Sequence, residues 1–94
     1  MKWNVFLYDG KKRLGGTLKC STDAYIFELE DFKMSHLTWY LPFQNIQNIT
    51  PYILFGIAKV GVVIIGKNDF EDVFIFDNQE DRDAFLKDYK AKHR

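Results

Sequence analysis

Residues 52–76, YILFGIAKVGVVIIGKNDFEDVFIF, decide the fold. From Tyr52 to Ile65 the chain is apolar except at Gly56, Lys59 and Gly61. A helix of that length, at about 1.5 Å rise per residue, is too short to cross a bilayer. Ile53, Ile57, Val60, Val62, Val63, Ile64 and Ile65 are β-branched. Branching at Cβ restricts χ1 in a helix and suits a pleated surface, so two strands are expected rather than a buried helix. Gly66-Lys67-Asn68-Asp69 supplies a turn. Phe70 to Phe76 returns as a strand with Phe70, Phe74 and Phe76 on one side. At Asp77 the period changes. Asp77-Asn78-Gln79-Glu80 has capping-box spacing, which predicts Asp77 as N-cap, Glu80 at N3 and a helix over about 78–92. Phe85, Leu86 and Tyr89 share a face of that helix, and Lys87, Lys90 and Lys92 lie toward its C-terminal end, where the dipole favours cations.

Toward the N-terminus the period is two. Trp3, Val5 and Leu7 alternate with Lys2, Asn4 and Phe6 up to Asp9-Gly10, a strong hairpin signal. Leu14 to Cys20 resumes as a strand whose paired glycines, Gly15 and Gly16, predict a bulge or bend. Ser21-Thr22-Asp23 breaks the chain before Tyr25 to Glu30, where Tyr25, Phe27 and Leu29 face away from Glu28 and Glu30. After a loop over Asp31 to His36, Leu37 to Leu41 forms a strand that Pro42 ends or places at an edge. Gln44 to Thr50, with Ile46 and Ile49, is expected to be a brief edge strand or turn. Six or seven short strands and one terminal helix, without βαβ alternation, predict an antiparallel barrel or sandwich with strands over about 2–76.

Composition limits the functions open to such a fold. The 94 residues fit a single domain, 1–94, and 47% hydrophobic with 28% charged residues is an ordinary globular balance. Nine Phe, five Tyr and two Trp predict an aromatic core. Thirteen basic residues balance thirteen acidic ones, so no bulk field draws in a polyanion, and no nucleic acid partner is expected. Cys20 is the sole cysteine, which leaves no intrachain disulfide, and with His36 and His93 it makes no four-ligand zinc set. No cofactor is expected. The opening residues carry no long apolar core, so the expected setting is soluble, reduced and cytoplasmic, with peripheral attachment to a membrane as one form of a binding role.

The run Gly16-x-Leu18, Ser21-Thr22, Tyr25-Ile26-Phe27, Leu41-Pro42-Phe43-x-x-Ile46-x-x-Ile49, Val73-Phe74-Ile75-Phe76 and Asp81-Arg82-Asp83-x-Phe85 resembles the GRAM and bacterial pleckstrin-homology-like domains. The most specific piece is the Leu-Pro-Phe-x-x-Ile-x-x-Ile segment, and the match covers most of the chain. The resemblance implies a mainly β, PH-like partial barrel of about seven antiparallel strands in two sheets, closed by one C-terminal α-helix, with a binding rather than a catalytic role. The chain departs from the eukaryotic lipid binders in lacking a dense basic pocket.

Three candidate sites follow. Lys11, Lys12 and Arg13 lie on the loop where pleckstrin-homology-like domains receive an anionic head group, and ammonium and guanidinium groups on a turn can grip phosphate oxygens. The opposing interpretation is a solubilising turn. Ile53, Leu54, Phe55 and Ile57 belong to a segment apolar on both parities. Either the fold covers both faces, with the terminal helix contributing, or the surface meets a protein partner, a lipid or a second copy of the chain. An alternative is a sensing barrel whose apolar cavity is lined by Phe27, Trp39 and Phe74. Catalysis is not expected: Cys20 sits on a strand, His36 in a loop and His93 next to the end. Asp69, Glu71 and Asp72 form an acidic group without calcium-loop spacing, and are expected to be a solvated turn. The expected function is a non-catalytic interaction module.

Overall fold

The computed structural model describes residues 1–30 and 38–92. The Asp31 to His36 loop and His93 lie outside the described residues. Among the described residues the chain forms seven strands and one α-helix: β1 (Lys2–Tyr8), β2 (Arg13–Cys20), β3 (Ala24–Leu29), β4 (Thr38–Pro42), a 3-10 turn (Phe43–Asn45), β5 (Ile46–Leu54), β6 (Ala58–Gly66), β7 (Glu71–Phe76) and α1 (Gln79–Lys92). All strand pairs are antiparallel, in the order β4-β3-β2-β1-β7-β6-β5.

The two expected sheets are halves of one. β1 pairs along its whole length with β2, from Lys2↔Lys19 to Tyr8↔Arg13, while Val5 to Tyr8 also pair with β7. The sheet curls strongly: β3 and β7 are separated by two strands, yet the Phe27 and Phe74 rings approach to 5.2 Å. A flat sheet would set those strands about 14 Å apart, three spacings of about 4.8 Å. The product is a half-barrel with an aromatic interior.

Three local expectations change. The glycine pair on β2 makes no bulge, because register runs without a break through Phe6↔Gly15 and Val5↔Gly16. Gly16 is needed for close approach instead: a Cβ there would meet the Glu28 carbonyl oxygen at 2.2 Å and the Phe27 ring at 2.7 Å. The Gln44 to Thr50 segment is not a brief element, since β5 continues through Pro51 to Leu54. An edge strand tolerates proline because one side of its backbone has no ladder to feed. Finally, α1 starts one residue later than its capping box predicts. The Asn78 side chain, not Asp77, accepts from the Asp81 backbone N–H at 2.8 Å, and Asp81 takes the N3 position assigned to Glu80.

α1 closes one end of the half-barrel, packing on β5, β6 and β7. Phe85 is fully buried, with its ring 5.2 Å from Trp3, 4.8 Å from Tyr25 and 5.3 Å from Phe76. Leu86 and Tyr89 pack beside it, as the helix pattern predicts. Among the described residues no helix is long and apolar enough to cross a membrane.

Candidate functional site

The register divides the surface into two ends. Tyr8 pairs with Val73, so the β1–β2 turn stands beside the β6–β7 turn. The β5–β6 hairpin lies at the opposite end with the start of α1, since Ile75 pairs with Gly61 and Leu54 with Ala58. The basic and apolar candidates are therefore far apart.

Lys11, Lys12 and Arg13 are all exposed at the β1–β2 turn. The Asp9 carboxylate accepts from the backbone N–H of Lys11 at 2.8 Å and of Lys12 at 2.6 Å. Those two bonds, with Lys12 the stronger influence, hold the Asp9 carboxyl below the usual carboxylate range. A fixed negative charge thus lies within the basic turn. The structure groups the three cations at one exposed turn, with Arg13 as the first residue of β2.

The β5–β6 hairpin turns at Phe55-Gly56-Ile57, closed by a bond from the Ile57 N–H to the Leu54 carbonyl at 3.1 Å. Ile53 is 47% exposed, Phe55 67% and Ile57 83%, whereas Leu54 is half-buried. Covering of the apolar run is divided: Val62 and Ile64 of β6 are in the core, and the bare residues gather at the tip. Phe55 has φ 53° and Gly56 φ 75°. A phenylalanine in the left-handed region costs about 1–2 kcal/mol relative to a residue that adopts it freely. Asn or Gly would fit that position at lower cost.

The residues proposed to line an internal cavity pack on each other. Phe27 meets Trp39 at 5.8 Å and Phe74 at 5.2 Å, both edge to face, and Phe27 and Phe74 are fully buried. The acidic group also separates. Glu71 is exposed, but Asp72 shares the parity of Phe74 and Phe76 and is half-buried on the concave side, not in a solvated turn. Burial raises its pKa. Among the described residues no three His, Cys, Asp or Glu side chains converge to hold a metal ion.

One cluster was not legible in the sequence. Cys20 at the end of β2, Tyr25 on β3, and Asp88 and Lys92 on α1 meet beside an open cleft. The Tyr25 hydroxyl donates to Asp88 at 3.2 Å, Lys92 pairs with Asp88 at 3.2 Å, and Lys92 also contacts the Cys20 sulfur. Burial and the Asp88 charge push the Tyr25 phenol well up. Desolvation works against the Lys92 ammonium, yet Cys20 and Asp88 outweigh it and raise its pKa. The i, i+4 spacing of Asp88 and Lys92 was visible; their meeting with Cys20 depends on the docking of α1. The cluster ties the last helical turn to the β2–β3 end.

These features define the class: a seven-stranded antiparallel half-barrel closed by one C-terminal helix. No family model matches the sequence, and no curated protein matches it. A solved structure is similar, the C-terminal domain of an unknown protein from Leishmania infantum, with a TM-score of 0.76 and 10% identity over 95% of this chain and 80% of that one. At that identity the likeness shows the fold alone.

Proposed function

We propose that this chain is a non-catalytic interaction module that docks a protein partner through the β5–β6 hairpin. The observation that carries it is the grouping of Ile53, Phe55 and Ile57, three exposed large apolar side chains on one hairpin tip. Covering such a patch releases about 25 cal/mol per Å² of apolar surface removed from water. The left-handed Phe55 adds support, because local strain at an exposed residue is retained where the side chain has work beyond the fold. Asp77, Glu80 and Asp81 lie at the same end and favour a protein surface over an anionic bilayer. The strand order, the terminal helix and the Leu41 to Ile49 segment support membership of the GRAM and bacterial pleckstrin-homology-like domains.

The test is a photo-crosslinking residue placed at Phe55 in cells, with one at Phe6 on β1 as control. A discrete adduct from position 55, lost on Ile57→Asp and not seen from position 6, is the expected result. No adduct from position 55 refutes the docking role. Light scattering separates a second copy of this chain from a different partner: a clean 11.1 kDa species at micromolar concentration removes the homodimer.

A second function has one observation in its favour, the exposed cations Lys11, Lys12 and Arg13 on one turn. They would attach the domain to an anionic membrane. Sedimentation with anionic vesicles at low salt tests this, and binding that survives charge reversal of all three residues counts against it.

A further inference from the structure

The half-barrel does not close between β4 and β5, the two ends of the strand order. The 3-10 turn crosses this seam and is tied to the β6–β7 turn by a bond from the Lys67 N–H to the Asn45 carbonyl at 2.9 Å. Beside the crossing lies a cleft of about 330 Å³, whose walls include Trp39, Leu41, Asn45, Phe70 and Asp72. That volume is at the small end of ligand sites.

Alternation along β7 places Asp72 on the concave side with Phe74 and Phe76, at the end of the strand away from α1. Among the described residues no hydrogen bond or ion pair reaches its carboxylate, and desolvation is the sole cause of its raised pKa. A half-buried carboxylate without a partner is destabilising, and a cation is what relieves it. Two aromatic side chains, Trp39 and Phe70, line the same cleft. Trp39 packs edge-on against Phe27, while Phe70 is seated on Gly66, where a Cβ would meet its ring at 1.9 Å. Ring faces attract cations as well as carbon chains. A single carboxylate among apolar walls suits an organic cation better than a metal ion, which requires several oxygen ligands.

We infer that this cleft binds an alkylammonium group, with the charge against Asp72 and the carbon chain against Trp39 and Phe70. The site lies at the opposite end of the sheet from the β5–β6 tip, so it stands or falls separately from the docking role. The ammonium can come from a free amine or from a lysine side chain of another protein.

The test is a heteronuclear NMR titration with n-butylammonium chloride at fixed ionic strength, with n-butanol as the neutral control. Saturable shifts at the Trp39 indole and at the Phe70 and Asp72 amides are expected. Affinity should fall by about tenfold or more for n-butanol and for Asp72→Asn, the loss expected when a charged hydrogen-bond partner is removed. A second variant, Trp39→Leu, should weaken n-butylammonium binding with Asp72 intact. Shifts that fail to saturate, equal binding of n-butanol, or unchanged affinity in a folded Asp72→Asn protein overturn the inference. Nα-acetyl-lysine N-methylamide distinguishes the source. Tighter binding than n-butylammonium assigns a peptide lysine and equal binding a free amine, and both outcomes require the cleft.

Discussion

Replacing Phe85 by Ala removes the centre of the aromatic core. The side chain is fully buried, and its ring has three aromatic neighbours, Trp3, Tyr25 and Phe76, within 5.3 Å. Burial of a Phe side chain contributes about 1.5–3 kcal/mol by transfer alone. Edge and tilted contacts between rings add about 0.5–1.5 kcal/mol per pair, and an unfilled cavity adds more, so a loss of about 3–5 kcal/mol is expected. Against a total of about 5–15 kcal/mol for a domain, that is a large fraction. Urea denaturation, followed by tryptophan fluorescence and by far-ultraviolet circular dichroism, measures it. Both signals should move together, because Trp3 on β1 and the helix share the Phe85 contact. Phe85→Leu should lose much less, about 1.5 kcal/mol or below, because volume and apolarity are largely kept. A loss under about 1 kcal/mol for the alanine variant means that α1 is peripheral to the half-barrel.

Asn78→Ala should lower stability by about 0.5–2 kcal/mol and Asp77→Ala by no more than about 0.5 kcal/mol, measured by the same denaturation; the reverse order refutes the observed cap. Phe55→Asn should raise stability by about 1 kcal/mol, since Asn accepts a φ of 53° more readily. A loss of stability would show that the Phe55 ring packs within the fold. Asp72→Asn should be more stable than the parent at pH 7. Desolvation holds the native Asp72 pKa above 3.8, so the unfolded chain loses that proton more readily, and stability falls as pH rises through the native value. The advantage of the variant should therefore shrink as pH is lowered toward 3.8, and an advantage unchanged with pH removes this explanation.

The strands were legible wherever burial alternates. Trp3 and Val5, then Tyr25 and Phe27, and finally Phe74 and Phe76 point inward as period two requires. The helix was legible because Phe85, Leu86 and Tyr89 repeat at helical spacing. Its first residue was less so. The cap falls on Asn78 and Asp81, each one position later than the Asp77 and Glu80 of the capping-box pattern. Gln44 to Thr50 read as a brief element because a sequence does not reveal that the strand it begins runs on through Pro51 at the sheet edge. The candidate sites were legible in part. The length of the apolar run pointed to the β5–β6 tip, but nothing in Lys11 to Arg13 hinted that the Lys11 and Lys12 backbone groups share the Asp9 carboxylate. Asp72 was grouped with Asp69 and Glu71 by charge, although its parity with Phe74 already placed it inward.

Phe55 and Asp72 break local rules in opposite ways, one by backbone conformation and the other by burying a charge. Neither contributes to the core that Phe85 organises, and both occupy sites assigned here to binding. The two costs should be independent. Ile64 pairs with Asp72 and lies six steps along β6 from Ala58 at the hairpin tip, about 20 Å at roughly 3.3 Å per residue. Stability gains from Phe55→Asn and Asp72→Asn should then add to within about 0.3–0.5 kcal/mol in the double variant, which should lose n-butylammonium binding at the seam together with crosslinking at the tip, the photo-reactive residue now placed at Ile53. Sites acquired to hold the fold would behave differently: the double variant would be less stable than either single one. A larger departure from additivity would mean that β6 transmits strain between the tip and the seam, and that the two surfaces act as one.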